Sequence, residues 1–414
     1  MKTTGVVFAL WAASLTAADG PAAWLQGAID AKSAAGGGRV TLEAGEHRFV
    51  GTLYLRNDVE LHLEKGATLV GSDDWRSYDD VDDGAIGKRP ENSRKVFIVA
   101  HGCRNVAITG EGVIDGRGPS FYDTNIVKGV SFYAKPAHPR PRMLQLFDCK
   151  GVRLEDVTLK DSPGWTCWVR ECEDFSAARV KIHADQKMLN NDGFHVDGSR
   201  HVRIGDCDFR TGDDCVVMRA NRAEGKSLTC EDMVVSNCVM NSSCQCIRLS
   251  CPSDDTIRNG RFFNLRMKGG NGIVSVHPAH YVAPWDEGFA KMDDIVIENC
   301  EIEARRNPIL FTVDPGIKLR EFGNVVFRNV QVRGGRPIRL SGTEDAKLRN
   351  VTLENVEGVI GDRKPLDVGG VENLVLKNVK VASGGGISRK FERPMPPRSW
   401  EAMRPEELIG EVPK

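Results

Sequence analysis

The sequence predicts an all-β fold of the parallel β-solenoid type, and three observations support this prediction. First, short runs rich in β-branched residues recur along the chain, with return distances mostly in the twenties to low thirties. Second, most of these runs are followed within about six residues by another short run. Third, Gly, Asn and Asp separate the runs, as turns with unusual dihedral angles require. The principal runs are residues 105–108, 151–154, 201–204, 232–235, 294–297, 324–327, 347–350 and 373–376.

Each predicted strand is only about three to five residues long, and no long helical pattern lies between the strands. This arrangement does not fit βαβ units, in which strands alternate with helices. A β-propeller, the main alternative, needs four strands per unit at a spacing near 40 residues, whereas this chain has two or three per unit at about 25 residues. In a solenoid, each coil buries its inner face by stacking on its neighbours. We therefore expect one continuous stack of coils.

The two ends of the chain differ from the repeating part. Residues 21–35 carry apolar side chains, among them Leu25 and Ile29, at helical spacing, and glycines follow. A short amphipathic helix here would cap the first coil and protect its edge from aggregation. Residues 391–414 are rich in Pro, Arg and Glu, and we expect them to form an irregular tail.

The first eighteen residues are expected to be an export signal. Lys2 is the only charged residue before an apolar run at residues 6–15, and small residues follow this run. The run is too short to span a bilayer, and no later stretch is long and apolar enough for a membrane helix. The sequence therefore predicts a secreted or periplasmic protein in which residues 19–390 form one domain.

The charge balance limits the classes of partner. The chain has 56 basic and 57 acidic residues, giving a formal net charge of −1. This balance argues against a nucleic-acid-binding protein that relies on a global basic field. It does not argue against an acidic sugar held in a local basic pocket. We expect a monomer that binds neither nucleic acid nor membrane.

The twelve cysteines allow two interpretations. In an exported protein they would suit a disulfide framework. Several, however, lie a few residues before or after a strand-like run: Cys149, Cys207, Cys238 and Cys300. A ladder of buried thiols explains this recurrence equally well. Cys244, Cys246 and Cys251 have no second pair at zinc spacing and no partnering His motif, so we expect no metal site.

Three aspartates on two neighbouring repeats form the strongest candidate for a catalytic site. They lie in Asn190-Asn191-Asp192-Gly193 and, twenty-one residues after Asp192, in Gly212-Asp213-Asp214-Cys215. This spacing is close to one repeat, and adjacent parallel strands are about 4.8 Å apart. Carboxylates this close do not all ionise easily, so one of them has a raised pKa, as a general acid needs. Gly212 permits a bend through which both following aspartates face solvent, although either motif alone is also typical of turns.

These motifs resemble those of glycoside hydrolase family 28, the polygalacturonase and rhamnogalacturonase group. Asn190-Asn191-Asp192-Gly193 is similar to the family's Asn-Thr-Asp-Gly with one change, and Gly212-Asp213-Asp214-Cys215 matches fully. The resemblance extends over most of the chain. Further stretches that resemble bacterial members are residues 35–38, 51–55, 61–67, 108–116 and 161–165.

The resemblance implies a right-handed parallel β-helix and hydrolysis of a glycosidic bond with inversion. It places the general acid on Asp213, while Asp192 and Asp214 would hold and deprotonate the attacking water. Inverting glycosidases in general need two carboxyl groups far enough apart to admit a water molecule. The implied substrate is a pectin-like or other acidic polysaccharide or oligosaccharide, and no metal or organic cofactor is implied.

Two departures from the family pattern concern the tuning of the general acid's pKa and the choice of substrate. Where the family usually has Gly-His-Gly, this chain has Cys244-Gln245-Cys246, and Gln245 cannot titrate. Where polygalacturonases have Arg-Ile-Lys, residues 271–276 align, and Val274 and Val276 stand in place of the cations. Charge-assisted contacts are worth about 1.5–3 kcal/mol each, so their loss argues against plain polygalacturonate as the substrate.

Other side chains are predicted to fill the substrate pocket. Arg219, where relatives often carry Lys, is the strongest basic candidate. His195 follows Asp192 closely and could replace the missing imidazole. An exposed Trp168 would offer a surface for sugar stacking. The predicted substrate-binding residues are Arg219, Gln245, Arg248, His195, His277 and Trp168.

Two other functions fit the same architecture. A polysaccharide lyase would use calcium and a basic residue, and would release an unsaturated uronate that absorbs in the ultraviolet. A non-catalytic glycan-binding protein would keep the scaffold without turnover. The three aspartates favour the hydrolase over both.

Overall fold

The computed structural model describes residues 20–82, 93–125, 132–221, 227–250, 254–277 and 287–384. Over these residues the chain forms a right-handed parallel β-helix that begins with a short helix, as the sequence predicts. The export signal and the tail predicted at the two ends lie outside the described residues. No helix among the described residues is long and apolar enough to cross a membrane.

The secondary structure consists almost entirely of short strands. Helix α1 spans Trp24–Ala34, and two 3₁₀ turns span Trp75–Ser77 and Gly118–Phe121. The first fifteen strands are β1 Gly20–Pro21, β2 Gly38–Leu42, β3 Gly45–Arg48, β4 Leu53–Tyr54, β5 Val59–Leu63, β6 Ala67–Val70, β7 Val96–His101, β8 Arg104–Thr109, β9 Val113–Asp115, β10 Arg142–Phe147, β11 Lys150–Glu155, β12 Thr158–Lys160, β13 Cys167–Arg170, β14 Glu173–Ala178 and β15 Lys181–His183. The later strands are β16 Phe194–Asp197, β17 Arg200–Gly205, β18 Asp208–Thr211, β19 Val216–Arg219, β20 Thr229–Ser236, β21 Val239–Ser242, β22 Gln245–Ser250, β23 Thr256–Gly269, β24 Asn271–His277, β25 Ala290–Ala304, β26 Ile309–Val313, β27 Leu319–Gly334, β28 Ile338–Ser341, β29 Leu348–Ile360, β30 Leu366–Gly369 and β31 Val371–Ser383.

The strands form two sheets that run along the axis of the solenoid. Eleven of the described strands contribute one strand per coil to what we call the front sheet: β4, β7, β10, β13, β16, β19, β22, β24, β26, β28 and β30. The other strands cover the remaining sides, at first as two strands per coil and, from β23 onward, as one long strand per coil. The short runs of the sequence come in pairs because, outside the front sheet, each coil has either two short strands or one long strand with two halves.

The core fills the inside of the coils with columns of apolar side chains. In the front sheet, Leu144, Cys167, Phe194, Val216 and Ile247 are successive register partners, and all of them are fully buried. Because side chains alternate along a strand, the residues between them point away from the core. The outward residues of the front sheet therefore also stand in columns, one rung apart.

Asparagines occupy the corners where the backbone turns. Asn329, Asn355 and Asn378 all have φ of 52–53°, a left-handed conformation that Asn tolerates better than most residues. The Nδ2 of Asn355 donates to Oδ1 of Asn329 (2.9 Å), and that of Asn378 donates to Oδ1 of Asn355 (2.9 Å). The residues that punctuate the sequence thus form a hydrogen-bonded ladder as well as the bends.

The two ends of the described solenoid differ. At the start, Leu25 and Ile29 of α1 are fully buried against the first coil. At the other end, β31 pairs with β29 and leaves Val375 and Leu376 about half exposed, at 50% and 49%. The predicted N-terminal cap is therefore present.

The cysteines of the described residues are free thiols. Cys149 and Cys172 are buried, and each contacts a carbonyl oxygen of the preceding coil, Cys149 Sγ to Ala100 O at 3.4 Å and Cys172 Sγ to Leu146 O at 3.4 Å. Of the two interpretations of the cysteines, the structure agrees with the ladder of buried thiols. Cys251 lies outside the described residues.

Candidate active site

The three aspartates meet at one edge of the front sheet, in the turns that lead into two adjacent strands. Asp192 lies in the connection from β15 to β16, and Asp213 and Asp214 lie in the connection from β18 to β19. Strands β16 and β19 pair in register, and the Gly193 amide donates to Asp214 O at 2.8 Å. The two motifs therefore lie on adjacent coils, as their spacing in the sequence predicts.

The fully buried side chain of Asn191 connects the two aspartate motifs by hydrogen bonds. Its Oδ1 accepts from the amides of Gly212 (2.8 Å) and Asp213 (3.1 Å). Its Nδ2 donates to Asp185 O at 3.1 Å. The Asn that replaces the Thr of the family motif thus has a structural role, because it fixes the backbone of the aspartate pair.

Two glycines are needed at this junction because the chains approach closely. A Cβ on Gly212 would lie 2.1 Å from Met188 O, and a Cβ on Gly193 would lie 2.2 Å from Cys215 O. The sequence suggested that Gly212 permits a bend. The structure gives a different reason, since φ of Gly212 is not in the left-handed region and the requirement is for space.

Asp213 is the most accessible of the three carboxyl groups. It is partly exposed, and its oxygens accept from Asn190 Nδ2 (3.3 Å) and from the Asp214 amide (3.1 Å). Asn190 is held in turn by Arg140, whose Nη2 donates to Asn190 Oδ1 at 2.9 Å. Arg140 is fully buried. No motif identified it, because it belongs to the long connection from β9 to β10 rather than to the repeat.

Asp192 and Asp214 lie beneath the surface, with 4% and 2% of their area exposed. Burial and the charges of Asp213 and Asp214 raise the pKa of Asp192 well above its usual range. Burial and the charge of Asp213 raise the pKa of Asp214 to about 8, against a smaller opposing effect of Arg248. Within the described residues, one oxygen of each group, Oδ1, is buried and accepts no hydrogen bond. The cluster therefore retains protons at neutral pH and has free acceptor sites next to Asp213.

His195 lies against Asp192 rather than in an open groove. Its Nδ1 is 3.2 Å from Asp192 Oδ2, and its Nε2 is 3.4 Å from Arg219 Nη1. The ring stacks on Trp165, with centroids 3.9 Å apart and planes inclined by 20°. Only 4% of the residue is exposed. The structure therefore brings His195 and Arg219 to the aspartates.

Arg248 lies on the next coil, on the other side of Asp214. Its Nη1 is 3.6 Å from Asp214 Oδ2, and its side chain is 21% exposed. In the front sheet it is the register partner of Val217 before it and of Val274 after it. The backbone of Arg248 thus lies one rung from that of Val274, where the sequence departs from the family's cations.

Gln245 begins β22, the strand that also carries Arg248. Its Oε1 is buried and has no hydrogen-bond partner among the described residues. The neighbouring Cys244 thiol lies within 4.8 Å of ligand atoms of Asp213 and Asp214. The residues that replace the family's Gly-His-Gly therefore border the aspartates.

Trp168 is not the exposed sugar platform that the sequence suggested. It is the register partner of His195 and points outward, but only 2% of it is exposed. Arg142 and Arg170 cover its ring, with guanidinium carbons 4.2 and 5.3 Å from the centroid, and Trp165 packs edge-on at 5.3 Å. The alternation of the strand predicts the direction of Trp168, whereas the covering side chains decide its exposure.

His277 lies on β24, two coils beyond the aspartate pair. Its Nε2 is 3.2 Å from Ser275 Oγ, and its ring packs edge-on against Phe322 at 4.8 Å. Only 3% of it is exposed. These contacts are those of a core histidine, and they do not place it with the aspartates.

Two groups of described side chains bring three possible metal ligands within 4.8 Å of one another. One is Asp213, Asp214 and Cys244, and the other is Glu173, Asp174 and His201 on the outside of the solenoid. The first group consists of the candidate catalytic carboxyl groups and a thiol. Burial raises the pKa of this thiol far above its usual range.

Comparison with known proteins connects this geometry to one family. A sequence model described as glycosyl hydrolases family 28 matches residues 83–237, which include all three aspartates. The polygalacturonase QRT2 of Arabidopsis thaliana is 21% identical over 323 residues, covering 71% of this chain and 65% of the relative. An endo-polygalacturonase of Pectobacterium parmentieri is 25% identical over 322 residues, covering 74% of this chain and 76% of the relative.

A solved structure has the same fold. An exopolygalacturonase from Thermotoga maritima superposes with a TM-score of 0.62 at 18% identity, covering 85% of this chain and 87% of the other. This likeness shows the fold. The chain spans only 44–65% of the length of three plant polygalacturonases that it matches.

Proposed function

We propose that the chain is a member of glycoside hydrolase family 28, whose sequence model matches residues 83–237, and that it is a glycosidase that cleaves a pectin-like or other acidic polysaccharide or oligosaccharide. The observation that carries this proposal is the convergence of Asp192, Asp213 and Asp214 from two adjacent coils. Their different exposures provide for different roles in a single reaction.

Asp213 is the general acid in this proposal. It is the carboxyl group that reaches the surface, and two donors, from Asn190 and the Asp214 amide, hold it in place. Like charges this close share protons, so the proton count belongs to the cluster rather than to one residue. Burial and mutual repulsion raise the pKa values of Asp192 and Asp214, so the cluster holds protons tightly. In the reactive state of this proposal, Asp213 carries the proton that is donated and at least one of Asp192 and Asp214 is ionised to act as the base.

Asp192 and Asp214 hold the attacking water and accept its proton. Their buried Oδ1 atoms are free to accept hydrogen bonds from a water molecule. A water held on the side opposite the leaving group leads to inversion of the anomeric centre. We therefore propose an inverting mechanism, which agrees with the resemblance found in the sequence.

Arg219 and Arg248 provide the positive charge for an acidic sugar. Arg248 stands one rung, roughly 4.8 Å, from Val274, so a substrate carboxylate would bind one coil away from the place suggested by the family pattern. This shift supports an acidic substrate other than plain polygalacturonate. We also propose that the protein is exported through its first eighteen residues and acts as a monomer.

The first experiment replaces the general acid. Asp213→Asn keeps the size of the side chain but gives no proton, so turnover should fall by at least about a hundredfold, with an unchanged melting temperature. Asp206→Asn is the matched control, since Asp206 is exposed and lies in the turn between β17 and β18, away from the aspartate cluster. It should retain full activity. An Asp213→Asn variant with full activity would contradict the proposal.

A screen for reducing ends over pectic fragments identifies the substrate. Anomeric configuration followed by NMR during the reaction is expected to show inversion. Release of an unsaturated, ultraviolet-absorbing uronate that stops on chelation would indicate the lyase instead. Binding without any new reducing end, across a broad glycan panel, would indicate a non-catalytic protein.

A further inference from the structure

His195 is the middle member of a short chain of contacts that ends on Asp192. The chain runs from Arg219 Nη1 to His195 Nε2 (3.4 Å) and from His195 Nδ1 to Asp192 Oδ2 (3.2 Å). The three residues come from two adjacent coils, because Arg219 is the register partner of Asp197, two residues beyond His195 on β16. The contact with Asp192 thus depends on the same pairing of coils as the aspartate cluster.

The chemistry of Arg219 decides which nitrogen of His195 carries the proton. A guanidinium group only donates hydrogen bonds, so Nε2 must accept. In a neutral ring the proton is then on Nδ1, and Nδ1 donates to Oδ2 of Asp192. Burial and the charges of Arg219, Arg248 and Arg142 lower the pKa of His195 well below its usual range, so the ring stays neutral.

The surroundings of His195 hold its ring in one orientation. Trp165 stacks on one face at 3.9 Å, and burial leaves 4% of the residue exposed. A buried, stacked ring has little surface to offer to a sugar. Among the described residues of this cluster, the ring accepts from Arg219 and donates to Asp192.

We propose that His195 is a positioning residue: its Nδ1–H fixes Oδ2 of Asp192 and so aims the free Oδ1 at the attacking water. This inference rests on the proposed role of Asp192 as a base. It replaces the substrate-binding role that the sequence suggested for His195. Asp192 Oδ1 accepts no hydrogen bond from the described residues, so its lone pairs are available to a bound water.

Two substitutions of His195 separate a directed hydrogen bond from packing. His195→Asn keeps a donor near the position of Nδ1, whereas His195→Phe keeps a flat ring against Trp165 but donates nothing. We expect kcat to fall about 10- to 100-fold in His195→Phe, with KM changed less than threefold. His195→Asn should recover most of this loss, and both variants should keep the melting temperature within a few degrees.

The pH profile provides a readout that packing alone would not change. Without the His195 donor, the ionised form of Asp192 is less stable, so the acidic limb of kcat should move to higher pH in His195→Phe but not in His195→Asn. The charged groups that face Asp192 are Asp213, Asp214 and Arg248, and those facing His195 are Arg142, Arg219 and Arg248. These groups are the same in both variants.

His201 provides a matched control. Its Nδ1 is also 3.2 Å from an aspartate, Asp174 Oδ1, but on the exposed outside of the solenoid. His201→Asn should leave kcat, KM and the pH profile unchanged. Equal losses of kcat in both His195 variants, a large rise in KM, or an unshifted pH profile in His195→Phe would overturn the proposal.

Nitrogen-15 NMR of the histidine-labelled protein tests the geometry without any substrate. We expect a neutral His195 ring protonated on Nδ1, identified by its absence from the spectrum of His195→Asn. A ring protonated on Nε2 would contradict the proposal. An inactive wild-type protein with the expected tautomer would contradict the proposed hydrolase function instead, so the two failures are distinguishable.

Discussion

Asp214 is a buried carboxyl group whose raised pKa makes the folded state less stable as the pH rises. Its pKa is raised to about 8, whereas a carboxyl group of an unfolded chain has a pKa of about 3.9. Below about pH 4 the group is protonated in both states and has no pH-dependent effect. Between about pH 4 and pH 8, Asp214 is ionised in the unfolded chain but still protonated in the folded protein. The free energy of unfolding therefore falls over this window.

Asp214→Asn should remove this pH-dependent loss of stability. We expect the melting temperature of the variant to exceed that of the wild type at pH 8 by at least about 2 °C, and to equal it near pH 4, while activity is lost. Thermal unfolding at both pH values measures this. Asp206→Asn, which changes an exposed carboxylate, serves as the control and should show no such dependence. Equal melting temperatures of Asp214→Asn and the wild type at both pH values would contradict the prediction.

At the level of single residues, the sequence predicted some contacts and missed others. Asp192 and Asp213 could be placed together because their separation matches the period of the coils. Arg140 could not be linked to Asn190, because it lies in a non-periodic connection and reaches the site through tertiary packing. The burial of Trp168 was also not predictable, since it depends on how Arg142 of the neighbouring coil and Arg170 of the same strand lie over its ring.

At the level of elements, the turn from β18 to β19 is the part of the solenoid on which the site depends most directly. Gly212 begins this turn, and its amide is bound by Asn191 Oδ1 together with that of Asp213. A Cβ on Gly212 would meet Asn191 Oδ1 at 2.7 Å as well as Met188 O at 2.1 Å. Any added side chain must therefore displace the turn.

Gly212→Ala should reduce activity by more than its loss of folding stability explains. A displacement of about 1 Å in a catalytic group can reduce the rate about a hundredfold, so we expect kcat/KM to fall at least tenfold. The overpacked turn should cost about 1–3 kcal/mol of stability. Kinetics and urea unfolding of the same samples measure both effects.

Gly205→Ala is the control for this substitution. A Cβ on Gly205, at the end of β17, would lie 3.7 Å from Ser236 Oγ, an ordinary contact. This variant should resemble the wild type in both measurements. If Gly212→Ala were as active as Gly205→Ala, the close approach at the turn would not position Asp213.

The elements themselves were predictable to different degrees. The strands and the helix at residues 21–35 follow from short-range patterns, and the structure has a helix at Trp24–Ala34. The long strands from β23 onward were read as pairs of runs, because an Asn at the corner looks like a turn in the sequence. In the structure the left-handed Asn bends the chain while the hydrogen bonding of the sheet continues.

At the level of the whole molecule, the cysteines of the described residues are free thiols rather than disulfides. The described cysteines are mostly buried, and burial raises the pKa of Cys230 to about 12. Thiolates are the reactive form, so these groups should react slowly in the folded state. The described coils are thus held together by stacking and not by disulfides.

A reducing agent should therefore leave the melting temperature unchanged. Titration of thiols in denaturant without reductant should detect all twelve cysteines, whereas the folded protein should react at few of them. The unfolded sample is the internal control for reagent access. Each disulfide would lower the count by two and would make the melting temperature sensitive to reductant, contrary to this prediction.

Because the aspartate cluster depends on the in-register pairing of β16 with β19, enzymatic turnover also reports whether these two strands have paired correctly. A slip of one residue between these strands would turn every outward side chain inward, and the acidic cluster would be dismantled while most of the sheet remained. During refolding, the return of enzymatic rate would thus time the closure of two central coils, whatever the state of either end. A spectroscopic signal from total strand content would instead follow strand formation along the whole solenoid.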